Sequence, residues 1–148
     1  MLKPGDKMPD FELVNQDGNI VKSSDLLGKK TIIYFYPKDN TSGCTAEACN
    51  LRDNYETLTG KGYNIVGVSK DSAASHKRFK DKYNLPFTLL ADTSTEMLQT
   101  FGAWGEKKMY GKTVLGTIRK TFVFDENGIL TETIEKVDTK NHAAQILK

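Results

Sequence analysis

Short apolar runs alternate along the chain with longer segments in which apolar residues recur every three or four positions. The runs predict strands at residues 31–36, 63–68 and 87–91, since unbroken apolar, β-branched and aromatic stretches are typical of buried strands. The longer spacing predicts one helix over residues 44–59, with Ala48, Leu51, Tyr55 and Leu58 on a single face. Strands and helices that alternate in this way favour parallel strand pairs.

Three further helices and two hairpins complete the predicted order. The first helix begins at Asp71 or Ser72 and buries Phe79 and Tyr83. The other helices and the paired strands cover residues 94–101, residues 141–147, residues 9–14 with 20–21, and residues 120–125 with 129–134. Residues 103–116 show little periodicity and are predicted to form a loop or an irregular hairpin. The fold class is therefore α/β, with a mixed central sheet, helices on both faces and an N-terminal β-hairpin.

Length and composition exclude several classes of function. The 148 residues suit one domain over 1–148, and they carry a formal net charge of +2 with no basic run, so we expect no nucleic-acid partner. No segment has the roughly 20 apolar residues of a membrane span, and the first residues lack the apolar core of a signal peptide. We therefore expect a cytoplasmic protein without a membrane partner. In that compartment cysteines are more often catalytic or metal-binding than structural.

Two cysteines, Cys44 and Cys49, lie just after a predicted strand, at the start of a predicted helix. A thiol near a helix N-terminus is favoured as thiolate. In one intact helix their Cα atoms would be roughly 8.5 Å apart and their side chains about 140° apart around the axis. A disulfide needs Cα atoms within about 7 Å. The pair could therefore bond only if the first turns of the helix unwound.

Periodicity alone leaves other interpretations open. Two buried, unreactive cysteines would fit the same pattern. A zinc site is a poorer fit because the spacing differs from C-x₂₋₄-C and the two histidines, His76 and His142, stand apart in the sequence. A redox pair of the thioredoxin type would be expected as C-x-x-C. We predict no metal and no cofactor.

The motif around the first cysteine resembles a known family. Pro37, Thr41 and Cys44 stand in a P-x-x-x-T-x-x-C arrangement, with Cys49 five residues on. The chain is similar nearly end to end to the peroxiredoxins, thiol peroxidases on a thioredoxin-like fold, and specifically to the bacterioferritin comigratory protein, or Q-type, subfamily. The segments that carry this likeness are residues 34–38, 43–49, 101–107 and 119–122.

The resemblance implies a role for each residue of the motif. Cys44 would attack the peroxide and become a sulfenic acid. Thr41 would align the peroxide, and Pro37 would shield the pocket because it has no N–H. Arg119 would pair with the thiolate. Cys49 would resolve the sulfenic acid as an intramolecular disulfide.

The same resemblance implies the partners. Hydrogen peroxide and alkyl or lipid hydroperoxides would be the substrates, thioredoxin or a similar dithiol the reductant, and the protein a monomer. A peroxide sensor or redox relay would use the same cysteines, and we keep it as the alternative function. A general disulfide reductase of the thioredoxin type is disfavoured by the absence of C-x-x-C.

The sequence adds some independent indications about charged residues. Arg119 is one of only three arginines among 21 basic residues, and it alone stands at the start of an apolar strand. Its guanidinium is therefore expected to point into a site. Ser42 stands where proline is common in the subfamily. Glu47 could accept a hydrogen bond from Arg119 or Arg52, or it could simply favour the first helical turn, and we prefer the second role. His76 is expected on a solvated helix face and His142 in a structural role.

Overall fold

The computed structural model describes residues 1–148 and contains nine strands, five α-helices and one short 3-10 helix. The strands are β1 (Glu12–Asn15), β2 (Ile20–Lys22), β3 (Lys30–Phe35), β4 (Tyr63–Ser69), β5 (Thr88–Ala91), β6 (Trp104–Met109), β7 (Lys112–Thr117), β8 (Lys120–Phe124) and β9 (Leu130–Ile134). The helices are α1 (Ser42–Asp53), α2 (Tyr55–Gly60), α3 (Ala73–Tyr83), α4 (Glu96–Thr100) and α5 (His142–Leu147), with the 3-10 helix at Ser23–Leu26. No helix combines the length and the apolar character needed to cross a membrane.

Seven strands form one mixed sheet in the order β2-β1-β5-β4-β3-β8-β9. The central strand β3 runs parallel to β4 and antiparallel to β8. Strands β4 and β5 are parallel, and hairpins lie at both edges of the sheet. The predicted mixed sheet with an N-terminal hairpin is confirmed.

Side chains of β3 alternate between two cores, one on each face of the sheet. Ile33 and Phe35 pack with residues of α4, whereas Ile32 and Tyr34 pack with residues of α1, α2, α3 and α5. All four of these β3 side chains are completely buried, which explains the unbroken apolar run in the sequence. Helices therefore cover both faces, as predicted.

Gly67 in β4 allows close packing in the core that contains Tyr34 and residues of α1. A Cβ atom on Gly67 would lie 2.9 Å from the Tyr34 ring and 2.9 Å from Leu89. Both neighbours are fully buried, so neither side chain can move away easily. Glycine at this position lets Tyr34 lie against the neighbouring strand.

Two predicted elements need correction. The prediction of a single helix over 44–59 is wrong, because the helix is interrupted at Asn54, where α1 ends and α2 begins. The side chain of Asn54 donates to the carbonyl of Asn50 at 2.9 Å. Asparagine competes in this way for helical backbone groups. Residues 103–116 hold a regular hairpin, β6–β7, and no loop. Its turn residues Tyr110 and Gly111 both have positive φ, 53° and 77°, as a tight two-residue turn requires.

Candidate active site

The sheet topology brings together two segments that are far apart in the sequence. The antiparallel pair β3–β8 sets Phe35 opposite Lys120. The chain that leaves β3 leads into α1 and Cys44, and Arg119 is the residue just before β8. Both therefore lie at the same end of the sheet. This arrangement carries Arg119 to a cysteine 75 positions earlier.

Cys44 is the third residue of α1 and is only 2% exposed. Its sulfur lies 3.4 Å from Nη2 of Arg119, within reach of a hydrogen bond. A Cβ atom added to Gly43 would also lie 3.4 Å from Nη2, so the guanidinium covers the first turn of the helix. A thiolate here faces both a fixed cation and the positive end of the helix dipole.

Arg119 binds a second group, the carboxylate of Glu47. Its Nη1 donates to Oε1 of Glu47 at 2.6 Å, and Glu47 is fully buried. The expectation that Glu47 merely favours the first helical turn is wrong, because its position three residues after Cys44 turns it toward the arginine. Burial lowers the pKa of Arg119, but the neighbouring Glu47 and Cys44 raise it, and the net direction is upward.

Burial also changes the acidity of Glu47 itself. Loss of water around the carboxyl raises its pKa from 4.5 to about 7, although Arg119 acts in the opposite direction. The hydroxyl of Tyr34 lies in the same interior without a hydrogen-bond partner. Its pKa is raised well above the ordinary value, first by burial and then by the charges of Glu47 and Cys44. Negative charge is therefore costly in this interior.

Two further predicted residues, Thr41 and Pro37, lie on the segment between β3 and α1. Thr41 is the N-cap residue of α1, exposed, and its hydroxyl donates to the carbonyl of Lys38 at 2.8 Å. Pro37 is half-buried and follows Tyr36 directly. The structure thus brings Cys44 and Arg119 into contact, and it holds the Thr41 hydroxyl against Lys38.

This segment is anchored by a buried polar network around Asp39. One Asp39 oxygen accepts from the Tyr36 hydroxyl at 2.5 Å, and the other lies 2.7 Å from Nδ1 of His76. Nε2 of His76 lies 2.8 Å from the carbonyl oxygen of Leu90. The expected solvated position of His76 is wrong, since the ring is completely buried. His76 is therefore part of what holds the loop before Cys44.

The carboxylates and the imidazole near this loop also bind one another. Asp71 accepts from the backbone N–H of Asp39 at 2.8 Å and from Ser69 at 2.6 Å, and Asp39 accepts from Ser75 at 2.8 Å. Three of these groups, Asp39, Asp71 and His76, lie within 4.8 Å of one another. Since both oxygens of Asp39, both ring nitrogens of His76 and one oxygen of Asp71 already have protein partners, the cluster is explained as a structural network.

Cys49 is the eighth residue of α1, half-buried, and both cysteines are free thiols. The next residue, Asn50, ties α1 to α5. Its Oδ1 accepts from the backbone N–H of Ala143 at 2.8 Å, and its Nδ2 donates to the carbonyl of Lys140 at 2.9 Å. The C-terminal helix is therefore held at its first turn by the helix that carries both cysteines.

Sequence reasoning misjudged the buried groups behind Arg119. A contact of Glu47 with Arg119 was one of the two roles considered, and helical spacing favoured it, because residues three apart on a helix share a face and Cys44 was already singled out. His142, which lies 3.5 Å from Oε2 of Glu47, gave no such signal. Its position depends on how α5 packs on α1, and periodicity does not specify that packing.

Comparisons with known proteins show what this chain is similar to. Residues 4–133 match the model of the AhpC/TSA family. The peroxiredoxin Bcp of Bacillus subtilis is 45% identical over 147 residues, covering 99% of this chain and 94% of that protein. The peroxiredoxin Bcp of Escherichia coli is 41% identical over 146 residues, with coverage of 99% and 94%.

Two solved structures are also similar to this chain. The bacterioferritin comigratory protein of Xanthomonas campestris matches with a TM-score of 0.87 and 34% identity, over 93% of this chain and 87% of that one. The peroxiredoxin Q of Xylella fastidiosa matches with a TM-score of 0.93 and 28% identity, over 99% and 94%. The study of the Xanthomonas protein describes its alkyl peroxide reduction activity.

Proposed function

This chain belongs to the AhpC/TSA family of thiol peroxidases, and from that premise we propose that Cys44 is the residue that attacks the peroxide. The Cys44 thiolate sulfur bonds to the terminal peroxide oxygen as the O–O bond breaks. The sulfur becomes a sulfenic acid, and the released alkoxide takes up a proton to give the alcohol. The observation that carries this assignment is the 3.4 Å contact of the buried Cys44 sulfur with Arg119, at the N-terminus of α1.

Arg119 serves this step in two ways. Its positive charge favours the thiolate before attack, and its donors stabilise the negative charge that develops on the peroxide oxygens. Glu47 fixes the guanidinium by the 2.6 Å bond on its other side. A lysine would lack the planar fork needed to hold both partners at once.

Thr41 and Pro37 would shape the place where the peroxide binds. Thr41 is the N-cap residue of the helix that carries Cys44, and its hydroxyl makes no capping hydrogen bond. A rotation of its side chain away from the Lys38 carbonyl would offer the hydroxyl to the peroxide. Pro37 has no N–H group, and so it offers the peroxide and the solvent no competing donor.

Cys49 would resolve the sulfenic acid. Its thiol sulfur bonds to the Cys44 sulfur, the hydroxyl leaves as water, and a disulfide forms within the chain. Both cysteines lie in α1, where ideal helix geometry keeps their Cα atoms roughly 8.5 Å apart, and a disulfide needs about 7 Å. The first turns of α1 must therefore unwind in each catalytic cycle.

The partners follow from the chemistry. Hydrogen peroxide and alkyl or lipid hydroperoxides are the substrates, and the alkyl peroxide activity described for the Xanthomonas relative supports the second class. Thioredoxin or a similar dithiol reduces the disulfide, and the cytoplasm, where such dithiols are kept reduced, is the compartment that suits this cycle. All of the residues assigned here come from one chain, so a monomer suffices.

Two variants test these assignments separately. Cys44→Ser should abolish peroxide consumption with thioredoxin, whereas Cys49→Ser should react once, accumulate sulfenic acid and fail to recycle. Intact mass after one equivalent of peroxide should show a loss of two mass units in the unmodified protein, since a disulfide removes two hydrogens. Undiminished turnover by Cys44→Ser, or normal recycling by Cys49→Ser, would refute the corresponding role.

A further inference from the structure

The hairpin β6–β7 projects from the body of the protein as a separate two-stranded sheet. Its base is fixed, because Gly116 and Thr117 are buried and the backbone N–H of Ile118 donates to the carbonyl of Ala103 at 2.8 Å. Beyond this base, every residue from 108 to 115 is exposed. The far half of the hairpin is therefore presented to the surroundings of the protein.

Large apolar side chains are concentrated in this far half. The whole protein exposes seven of them, and four belong to the hairpin, namely Met109, Tyr110, Val114 and Leu115. Tyr110 stands in the turn and is 98% exposed. The strand register puts Met109 and Val114 on the same face of the hairpin. Exposed apolar groups that cluster in this way indicate an interaction surface.

The charges near the turn are all positive. Residues 107–117 contain three lysines and no acidic residue. Lys107 is directed back to the base, where its Nζ donates to the carbonyl of Thr117 at 3.0 Å. Lys108 and Lys112 lie on either side of the turn and form no salt bridge, whereas four lysines elsewhere on the protein pair with carboxylates. Two unpaired cations therefore flank an apolar tip.

An apolar tip between two lysines fits the surface of an anionic bilayer. Anionic headgroups attract lysines, and a tyrosine beside them has the amphipathic ring that lies at the level of the headgroups. A second copy of this chain would bring like charges together at the tip. A folded protein partner would need an acidic surface with a recess for the protruding ring, whereas lipid headgroups move aside for it.

We propose that the tip of the β6–β7 hairpin docks on anionic phospholipid membranes, with Met109 and Tyr110 among the headgroups and with Lys108 and Lys112 on the lipid phosphates. The expectation of no membrane partner was based on the lack of a spanning segment, and docking at the surface requires none.

Docking would hold the active site near the bilayer. Arg119 follows β7 by two residues, and the six residues of that strand span about 20 Å. Hydroperoxides of membrane lipids would then be the substrates closest to the enzyme. This consequence rests on the proposed function, whereas the docking itself does not.

Sedimentation with vesicles measures docking without any peroxide chemistry, so its result does not depend on the role of Cys44. The full chain should bind vesicles of equal parts phosphatidylcholine and phosphatidylglycerol at low salt, and it should not bind vesicles of phosphatidylcholine alone. Lys108→Gln combined with Lys112→Gln should lower the partition coefficient about 25-fold, since each lysine near an anionic surface contributes about fivefold.

Lys29→Gln combined with Lys30→Gln is the matched control. It removes the same charge from two exposed, adjacent lysines at the start of β3, whereas Cys44 follows the other end of that strand. This variant should bind the anionic vesicles as the unmodified protein does. An equal loss in both double variants would indicate attraction by net charge alone and overturn the proposal, as would no binding of the unmodified protein to either kind of vesicle.

Tyr110→Asn tests the apolar part of the tip. Asparagine tolerates the positive φ of 53° at this position, so the turn is kept along with both lysines. The partition coefficient should fall severalfold, since the ring no longer leaves water on docking. An unchanged coefficient would overturn the proposal. Slower turnover with thioredoxin in the Lys108→Gln and Lys112→Gln variant, without vesicle binding by the unmodified protein, would assign the hairpin to a protein partner and also overturn it.

Discussion

The link between α1 and α5 makes Asn50→Ala an informative perturbation. Asn50 sits beside Cys49 and forms two hydrogen bonds with the start of α5, at 2.8 and 2.9 Å. Loss of a helix cap costs roughly 0.5–2 kcal/mol and loss of a second hydrogen bond about 1 kcal/mol, so the packing of α5 on α1 should be weakened by about 2 kcal/mol. If α1 unwinds through Asn50 when the disulfide forms, the disulfide form has already lost these hydrogen bonds, and the substitution destabilises the reduced enzyme alone.

The reduced form should therefore be destabilised relative to the disulfide form. A difference of about 2 kcal/mol corresponds to a reduction potential about 40 mV more negative for a two-electron couple. The same energy should accelerate disulfide formation after one equivalent of peroxide by up to about 30-fold, if the opening of α1 limits that step. Redox equilibration with a dithiol buffer measures the first quantity, and stopped-flow loss of sulfenic acid measures the second.

Asn127→Ala provides the control, because Asn127 lies in an exposed turn and uses its backbone N–H, not its side chain, for its hydrogen bond. It should change neither the potential nor the rate. If Asn50→Ala lowers the stability of both redox forms equally and leaves the potential unchanged, then unwinding stops before Asn50 and the reasoning is refuted.

Three other predictions concern stability and the helix start. Gly67→Ala should lower the free energy of unfolding by about 1–3 kcal/mol in urea titrations, since its Cβ would press on buried Tyr34 and Leu89 at 2.9 Å. Glu47 has a folded pKa of about 7 and an ordinary value of 4.5, so its contribution to stability is complete below about pH 4.5 and is lost as pH rises through 7. Glu47→Gln should consequently lose about 3 kcal/mol less than the parent between pH 4.5 and 8 in the same titrations, and an unchanged difference would contradict the shifted pKa. Ser42→Pro, at the first position of α1, should stiffen the helix start and slow disulfide formation severalfold, measured by stopped flow; acceleration would contradict the unwinding step.

Sequence patterns predicted the sheet well because its strands are simple in composition. The run over residues 31–36 is unbroken because both faces of β3 are covered by other elements. A short stretch of sequence is enough to show such a run. The tight turn of β6–β7 was missed, since Tyr110 is an unusual residue for a positive φ angle. The break at Asn54 was missed because one side-chain hydrogen bond outweighed an apolar stripe that continues across it.

The site was predicted only in part, for a different reason. The cysteine motif selected Cys44, and the family resemblance together with its place before an apolar strand selected Arg119; the structure brings these two into contact. His76 and His142 were misjudged or left without a partner because their surroundings come from distant segments: Asp39 for the first, Glu47 for the second. Charged neighbours on a helix say little about a histidine that points into the core.

The pairing of β3 with β8 has a consequence for the order in which the enzyme matures. Cys44 is synthesised 75 residues before Arg119, and the two meet only once β8 has joined the centre of the sheet. Under the proposed function, a nascent chain therefore carries an ordinary, unactivated thiol until the last third of the domain has folded. Cys44 therefore reacts slowly with peroxide during translation, before the folded helix α1 can bring Cys49 to an oxidised Cys44.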